Sequence, residues 1–454
     1  MKCLHGLYTL LFGVAVVLFW GLAYPHHLHY QEQYQLFLFD STYVWDIVRL
    51  PGGVADLLGR FCTQFFLFAW IGALMIAVLL SLIQLLTLKL VKWGWLYGLT
   101  FMPSFLLWLF LLDENALLGG VWAVLLTLLA IHCCLLMPQG WVRRIAILVA
   151  IPILYWMVGP SWSGSHYHRY PTATPYLLYV AWLSAVVLPL IVHFCKIQGS
   201  WLKAQGLSFL LVAIALGTVI WKSANFQAEK VMQYDFMARH QQWNRILATA
   251  TAEKPNNQIG VTVQNLALAM HGMLSDHLFD YNQNGIAGLL PDVQSDATSP
   301  LPTAEAFYQL GMIYVAQRTV FEAQEAILDF QKSARCYKRL AQTNLIIGSY
   351  EVARKYLMAL QKTLFYRDWA NETLPLLGNE EAIAKHPEYG RLRQCLYDED
   401  FYFSDHVTPE MLESLYFHNK DNRVALEYLK AYYMLTGDRD SYAQLLHYLQ
   451  EVKN

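Results

Sequence analysis

Charge is what this chain has least of. Only 15% of its 454 residues are Asp, Glu, Lys or Arg, against 56% hydrophobic, and the mean hydropathy is +0.30. A soluble domain is nearer a quarter charged, so the composition points to a membrane class. The scarcity is uneven. Ten Lys/Arg and six Asp/Glu precede Lys222, leaving 22 and 28 for the remainder. Neither part carries the basic excess that a phosphate backbone requires, which excludes nucleic acid as a partner. None of the seven cysteines forms a C-x-x-C pair, which removes the zinc and thioredoxin-like readings. Ser-His-Asp and glycine-rich phosphate motifs are absent, and the first half lacks Asp-x-Asp. Its apolar runs hold no series of acids, which argues against a pump or secondary transporter.

What is present is a set of apolar runs. Residues 6–24, 62–88, 93–112, 117–137, 145–159, 176–194 and 207–221 are candidates for about seven membrane spans. Run 62–88 contains no charge and is longer than a span needs, so a tilt or a projecting end is expected. Residues 6–24 lack a small-residue cleavage site and read as an uncleaved anchor. With the N-terminus cytoplasmic, Lys2, Lys89, Lys92, Arg143, Arg144, Lys196 and Lys203 fall inside. Only Arg49, Arg60 and Arg169 then lie in outer loops, as the positive-inside rule favours. All six acids of this half then lie outside, and so does everything after residue 222. Thirteen of the fifteen tryptophans end with Trp221. The expected domains are therefore a transmembrane part, 1–222, with a long outer loop, 25–61, and an extracytoplasmic part, 223–454.

The outer loop holds its own structure. Asp40-Ser41 caps a short helix, and Pro51-Gly52-Gly53 ends it. Val54, Leu57, Leu58 and Phe61 make a second apolar stripe, with Asp56 and Arg60 paired at i,i+4 on the wet side. Two such helices would lie in the interface plane. Residues 282–303 read as a loop. Beyond them, Leu310-Gly311-x-x-Tyr314 with Ala323 resembles the tetratricopeptide repeat, with Gly311 small where paired helices touch. Leu340-Ala341 with Gly348-Ser349-Tyr350 and Ala353, and Leu429, Tyr433 and Gly437-Asp438 with Leu445, Leu446 and Leu449, look like further units. The resemblance covers 302–362 and 421–452 and departs from the pattern at Asn344; 398–405 is less regular. The fold class is thus all-α: a polytopic helical bundle followed by a soluble tetratricopeptide-like domain. Cys336 and Cys395 are available for a disulfide if that domain is extracytoplasmic.

Gln31-Glu32-Gln33 with Asp40, and Pro51-Gly52-Gly53 with Gln64-Phe65-Phe66, also look like an uncharacterised family of polytopic envelope proteins from Bacteroidales-type bacteria. That resemblance implies a bacterial inner membrane and brings no activity.

Two functions compete. A repeat domain offers a protein-binding surface, so one expectation is an envelope scaffold touching membrane lipids and a protein partner. The other rests on topology that resembles membrane glycosyltransferases using lipid-linked sugars. There Glu32 or Asp40 is the candidate catalytic base, and Asp113, Glu114, His166, His168 and Arg169 are candidates for substrate binding, with a divalent metal as the only implied cofactor and a lipid-linked glycan as the partner. The bland reading is that loops between spans must be polar. His26, His27 and His29 do not share one helix face, so no metal site is assigned and a headgroup-level role is preferred.

Overall fold

The computed structural model describes residues 2–163, 175–194, 202–291, 300–327, 331–397 and 408–453. Among these there are helices and no strand. His166, His168 and Arg169, and the stretch 398–405, lie outside the described residues. The chain divides into two compact units, residues 1–229 and 230–454.

The first unit contains α1 (Lys2–Leu18), α2 (Pro25–Glu32), α3 (Ser41–Val48), α4 (Gly53–Thr63), α5 (Ala69–Leu90), α6 (Met102–Phe110), α7 (Gly119–Leu136), α8 (Trp141–Ser163), α9 (Pro175–Phe194) and α10 (Leu202–Ser223). Among the described residues six segments are long and apolar enough to cross a bilayer: Leu4–Ala23, Ala69–Leu90, Gly119–Leu136, Trp141–Gly159, Tyr176–Phe194 and Lys203–Ser223. Their outward side chains are apolar, with Leu148, Ile151, Leu211 and Ile214 all well exposed. An apolar outer surface of that extent is unfavourable in water and suits lipid.

Two of the sequence expectations change here. The run 62–88 is not one long helix. Phe68 is extended, with φ −115° and ψ 101°, and separates α5 from a short 3-10 turn, Gln64–Leu67. A Cβ on Gly72 would come within 2.7 Å of the Phe66 ring, so only a glycine lets α5 start so close to the turn. The run 93–112 is likewise broken, into a 3-10 segment Gly94–Phe101 and then α6, whose first turn carries Pro103.

Interior polar bridges fix how these helices pack. Thr9 of α1 donates to Gln84 Oε1 of α5 at 2.8 Å, and Gln84 Nε2 donates to Thr100 at 3.1 Å. All three are buried. Paired polar groups of this kind join helices in apolar surroundings, where burial alone gives little drive. Around them Phe12 meets Phe101, Phe105 and Trp108 edge-on, with centroids 5.1–6.0 Å apart.

The outer loop is structured, as its caps predict. Asp40 accepts from the backbone N–H groups of Thr42 and Tyr43 at 3.0 and 3.1 Å. Arg60 donates to Asp56 at 2.8 Å. That pair is not on the wet side: its side chains are only 15% and 16% exposed. The face of α4 that packs most tightly is the small one, with Ala55, Gly59 and Cys62 buried. A Cβ on Gly59 would sit 2.4 Å from the backbone nitrogen of Gly119, so α4 and α7 cross at a glycine pair. Outward from α3, Trp45 is 66% exposed and Phe39 and Leu50 are exposed too.

The second unit begins within α11 (Phe226–Arg239) and continues through α12 (Trp243–Glu253), α13 (Gln258–Met270), α14 (Leu274–His277), α15 (Pro300–Leu310), α16 (Ile313–Ala326), α17 (Ala334–Ile347), α18 (Tyr350–Leu360), α19 (Arg367–Thr373), α20 (Glu380–Lys385), α21 (Pro387–Gln394), α22 (Pro409–His418), α23 (Arg423–Thr436) and α24 (Arg439–Lys453). Three helix pairs, α15/α16, α17/α18 and α23/α24, turn at glycines in the left-handed region: Gly311 (φ +95°), Gly348 (φ +94°) and Gly437 (φ +72°). Gly311 is therefore a turn residue and not a helix contact. Its own crowding comes from Cys395, whose Cβ would lie 2.6 Å from a Cβ placed there. Ala353 is fully buried on the second helix of its pair. No disulfide joins Cys336 to Cys395. Cys336 lies among Leu301, Ala304 and Val320, and Cys395 against Gly311.

Candidate functional site

Some of the residues to which the sequence gives chemical weight lie on α2 and on the loop after α6, two segments of the first unit that touch through Gln31. Pro25 opens α2 at its first turn, where the missing N–H costs nothing. The next two N–H groups are orphans of the helix start, and α2 has no side-chain cap from its own preceding residue. Glu229 supplies the acceptor. Its carboxylate takes the His26 N–H at 2.7 Å and the His27 N–H at 2.9 Å. It is buried, and burial pushes its carboxyl up to about 8, although the two backbone donors pull the other way. A carboxyl in that range suits acid–base work, but both of its oxygens already hold a helix start in place.

Beside it, the Tyr24 hydroxyl takes the Asn225 N–H at 3.1 Å and lies 3.3 Å from the Asn225 carbonyl. Burial raises the Tyr24 phenol well above its ordinary value, and the charges of Glu229 and Glu114 add to this. His27 is fully buried, and burial lowers it to about 3. The ring is therefore neutral, so Nε2 carries the proton and donates to the Leu111 carbonyl at 3.0 Å. Among the described residues its Nδ1 has no hydrogen-bond partner.

The two acidic loops are joined here. Gln31 Nε2 donates to the carbonyls of Asp113 and Ala116, at 3.3 Å each. Glu32, next along α2, is 4% exposed. Asp113 accepts from the Asn115 N–H at 3.0 Å. Burial raises the Glu114 carboxyl, as does Asp113. Asp40 is occupied as the cap of α3. Of the sequence candidates, then, Glu32, Asp113 and Glu114 belong to joined loops, and Asp40 has a structural task. Among the described residues no three His, Cys, Asp or Glu side chains are grouped to hold a metal ion. Sequence reasoning missed Glu229 altogether. The only signal for it was a lone acid a few residues past the last apolar run.

At the opposite end of the same bundle, the His5 ring stacks on Tyr97 with centroids 4.4 Å apart. Its Nε2 lies 3.2 Å from Gln205 Oε1, and Gln205 Nε2 donates to the Gly94 carbonyl at 3.1 Å. The starts of α1, of Gly94–Phe110 and of α10 thus gather at one end. Tyr24, Leu111 and Asn225, which follow their other ends, gather at the other.

The fold defines a protein that is all-helical among the described residues, six of whose helices there are long and apolar enough to span a bilayer, with a second compact helical unit. The chain belongs to the family of unknown function DUF6057, which matches residues 1–163 and 160–454. No match is found among curated proteins or among solved structures.

Proposed function

We propose that the protein is an integral membrane scaffold of the bacterial envelope that displays a tetratricopeptide-like helical platform on the periplasmic side. The observation that carries this reading is the succession of glycine-turned helix pairs in the second unit, with α16 packed on α17 so that one pair follows the next. Stacked pairs build an extended surface for a protein partner. Large apolar side chains stay exposed along it: Phe321 on α16, and Val352 and Met358 on α18.

The topology we infer has seven crossings, from a cytoplasmic N-terminus to a periplasmic second unit in the inner membrane, with Gly94–Phe110 as the third. Its support is the shared direction of α1, Gly94–Phe110 and α10. Eight 3-10 residues at about 2.0 Å and nine α residues at about 1.5 Å have a contour of roughly 30 Å, an upper bound because the segment kinks at Leu96, against a hydrocarbon core of about 30 Å. Photo-crosslinkers at Phe321 and Met358 in living cells test the platform. One discrete adduct shared by both positions is expected, and lost from a crosslinker at Phe279, an exposed residue on neither α16 nor α18. No adduct, or the same smear from all three, overturns the reading.

One contact favours a second reading, a transferase that uses a lipid-linked sugar. Gln31 ties the first acidic loop to the second, which puts Glu32 and Asp113 on joined segments. In that reading Glu32 is the base and Asp113 or Glu114 meets the donor phosphate or a divalent ion.

A further inference from the structure

Within the first unit, α1 and α5 pack antiparallel. Thr9 bonds Gln84 at 2.8 Å. A Cβ on Gly13 would sit 3.3 Å from Ser81 Oγ, and one on Gly21, just past α1, would sit 2.7 Å from the Trp70 ring. As numbers rise along α1, those of its partners fall along α5. Along one side of this pair runs an apolar groove of about 530 Å³. Small residues, Gly13, Ala77 and Ser81, form its floor. Its rim is made by larger side chains, with Leu10, Leu74 and Val78 exposed. The groove also reaches Gly6, where a Cβ would meet nothing within 4 Å.

Its dimensions suit a single hydrocarbon chain. From Leu74 to Leu85 it follows α5 for roughly 17 Å, close to one leaflet, which is about half of a 30 Å hydrocarbon core. An apolar cavity of about 150 Å³ takes up one benzene. At six carbons for that volume, 530 Å³ holds about twenty, the size of one acyl chain. A second helix, about 10 Å across, would displace roughly twice as much or more over the same length.

The end of the groove at Gly6 is positively charged. Val78, Leu82, Leu85 and Lys89 recur every three or four residues and so share one face of α5. With Thr9 opposite Gln84, Lys89 comes level with Leu4, just beyond Gly6. Lys89 is exposed, and among the described residues no carboxylate lies within 4.0 Å of it. Lys92, three residues on, is exposed as well. Residues 1–31 and 57–112 contain no Asp or Glu. The charge complementary to this end is negative.

We propose that the groove holds one acyl chain of an anionic phospholipid, whose headgroup phosphate meets Lys89. The stem of a lysine at the end of a span lies along apolar surface while its ammonium reaches the headgroup level. A zwitterionic phospholipid offers the same chain, but its phosphate already has an ammonium of its own nearby. An anionic one lacks that partner, so Lys89 favours it. The inference rests on α1 and α5 crossing the bilayer. It does not depend on the scaffold function or on which side faces the cytoplasm.

The test is native mass spectrometry of the full chain, released from detergent micelles doped with phosphatidylglycerol or with an equal amount of phosphatidylcholine carrying the same chains. One phosphatidylglycerol per chain is expected, about fivefold more abundant than the phosphatidylcholine adduct, as one lysine near an anionic headgroup supplies. Lys89→Gln, a change at an exposed site, should bring the two lipids to equal abundance. Gly6→Leu, which enters the groove where no neighbour stands, should remove most of both adducts. Leu148→Phe, on the exposed surface of α8, should leave both unchanged. Equal adducts of the two lipids in wild type overturn the proposal. So do adducts untouched by Gly6→Leu, which would be lipid held anywhere on the surface. A dimer in place of the adduct, dissociated by Gly6→Leu, would put a second copy in the groove and overturn it too. Extraction of membranes with alkaline carbonate checks the crossing separately: a chain that stays in the pellet keeps its spans, and release removes the spans and the site together.

Discussion

The Glu229 carboxyl caps α2 through the His26 N–H, 203 positions earlier in the chain, at 2.7 Å. Its oxygens satisfy orphan N–H groups of the helix start. This one contact ties the segment after the last span to the segment after the first.

Removing it should be costly. Glu229→Ala leaves two buried N–H groups without an acceptor, and a loss on the order of 1–3 kcal/mol is expected. Glu229→Gln keeps one acceptor oxygen and should lose less. The pH dependence follows from the direction of the shift. The folded carboxyl is raised from 4.5 to about 8, so the folded state holds its proton more tightly than the unfolded one. Its contribution is therefore full below about pH 4.5 and is lost as pH rises through about 8. Thermal melts in detergent should show a fall across that window in wild type that is missing in Glu229→Gln. Parallel pH curves for the two proteins would show that Glu229 does not titrate there.

The contrast between Gly311 and Gly437 separates two reasons for glycine at a turn. Both have positive φ, but only Gly311 has a neighbour, Cys395, where a Cβ would go. Gly437→Ala should cost roughly 1–2 kcal/mol, the left-handed penalty alone. Gly311→Ala should add about 1–3 kcal/mol of overpacking. Equal shifts in denaturation midpoint for the two variants would mean that Cys395 yields freely.

What the sequence made legible was whatever is local. The spans are legible because a bilayer demands length and hydropathy, and Asp40 because a cap lies next to its helix. The Asp56–Arg60 pair was legible in spacing but not in burial, because the glycine crossing of α4 on α7 that encloses this region depends on Gly119, far along the chain. The break at Phe68 was hidden because a run without charge gives no punctuation. Gly311 was legible as important and misread in kind, since a helix contact and a helix turn both call for a small residue. Glu229 was invisible because its partners lie some 200 residues away. No local pattern encodes such a pair.

Asp40 and Glu32 distinguish scaffold from enzyme. Asn caps as well as Asp, so Asp40→Asn should leave stability unchanged, while Asp40→Ala should cost about 1 kcal/mol. On the scaffold reading, neither Asp40→Asn nor Glu32→Gln changes the crosslinking of the helical platform or the phenotype of cells that depend on the protein. On the transferase reading, Glu32→Gln at normal abundance removes most of the roughly 10²–10⁴-fold that positioned proton transfer supplies. Complementation by Glu32→Gln, with abundance checked by immunoblot, distinguishes the two.

In the proposed topology Gly94–Phe110 crosses the membrane, and parity requires it. Tyr24 and Asn225, just past the first and last candidate spans, share a pair of hydrogen bonds and so lie on one side. An even number of crossings must separate them. Among the described residues the candidate spans after the first number five by length and hydropathy, which is odd, and in the proposed topology Gly94–Phe110 makes the sixth. Its two ends also contact opposite ends of the bundle, Gly94 through Gln205 and Leu111 through His27. Single cysteines placed by Lys92→Cys and Asn115→Cys, in a background stripped of native thiols, should therefore react from opposite sides with a membrane-impermeant maleimide. Asn115→Cys should label in intact spheroplasts, and Lys92→Cys only after the membrane is opened. A reporter active only outside the cytoplasm, fused after Asn454, should be active. Labelling of both cysteines from one side would make Gly94–Phe110 a re-entrant segment. The chain would then have six crossings, and Tyr24 and Asn225 could not lie on one side of the bilayer.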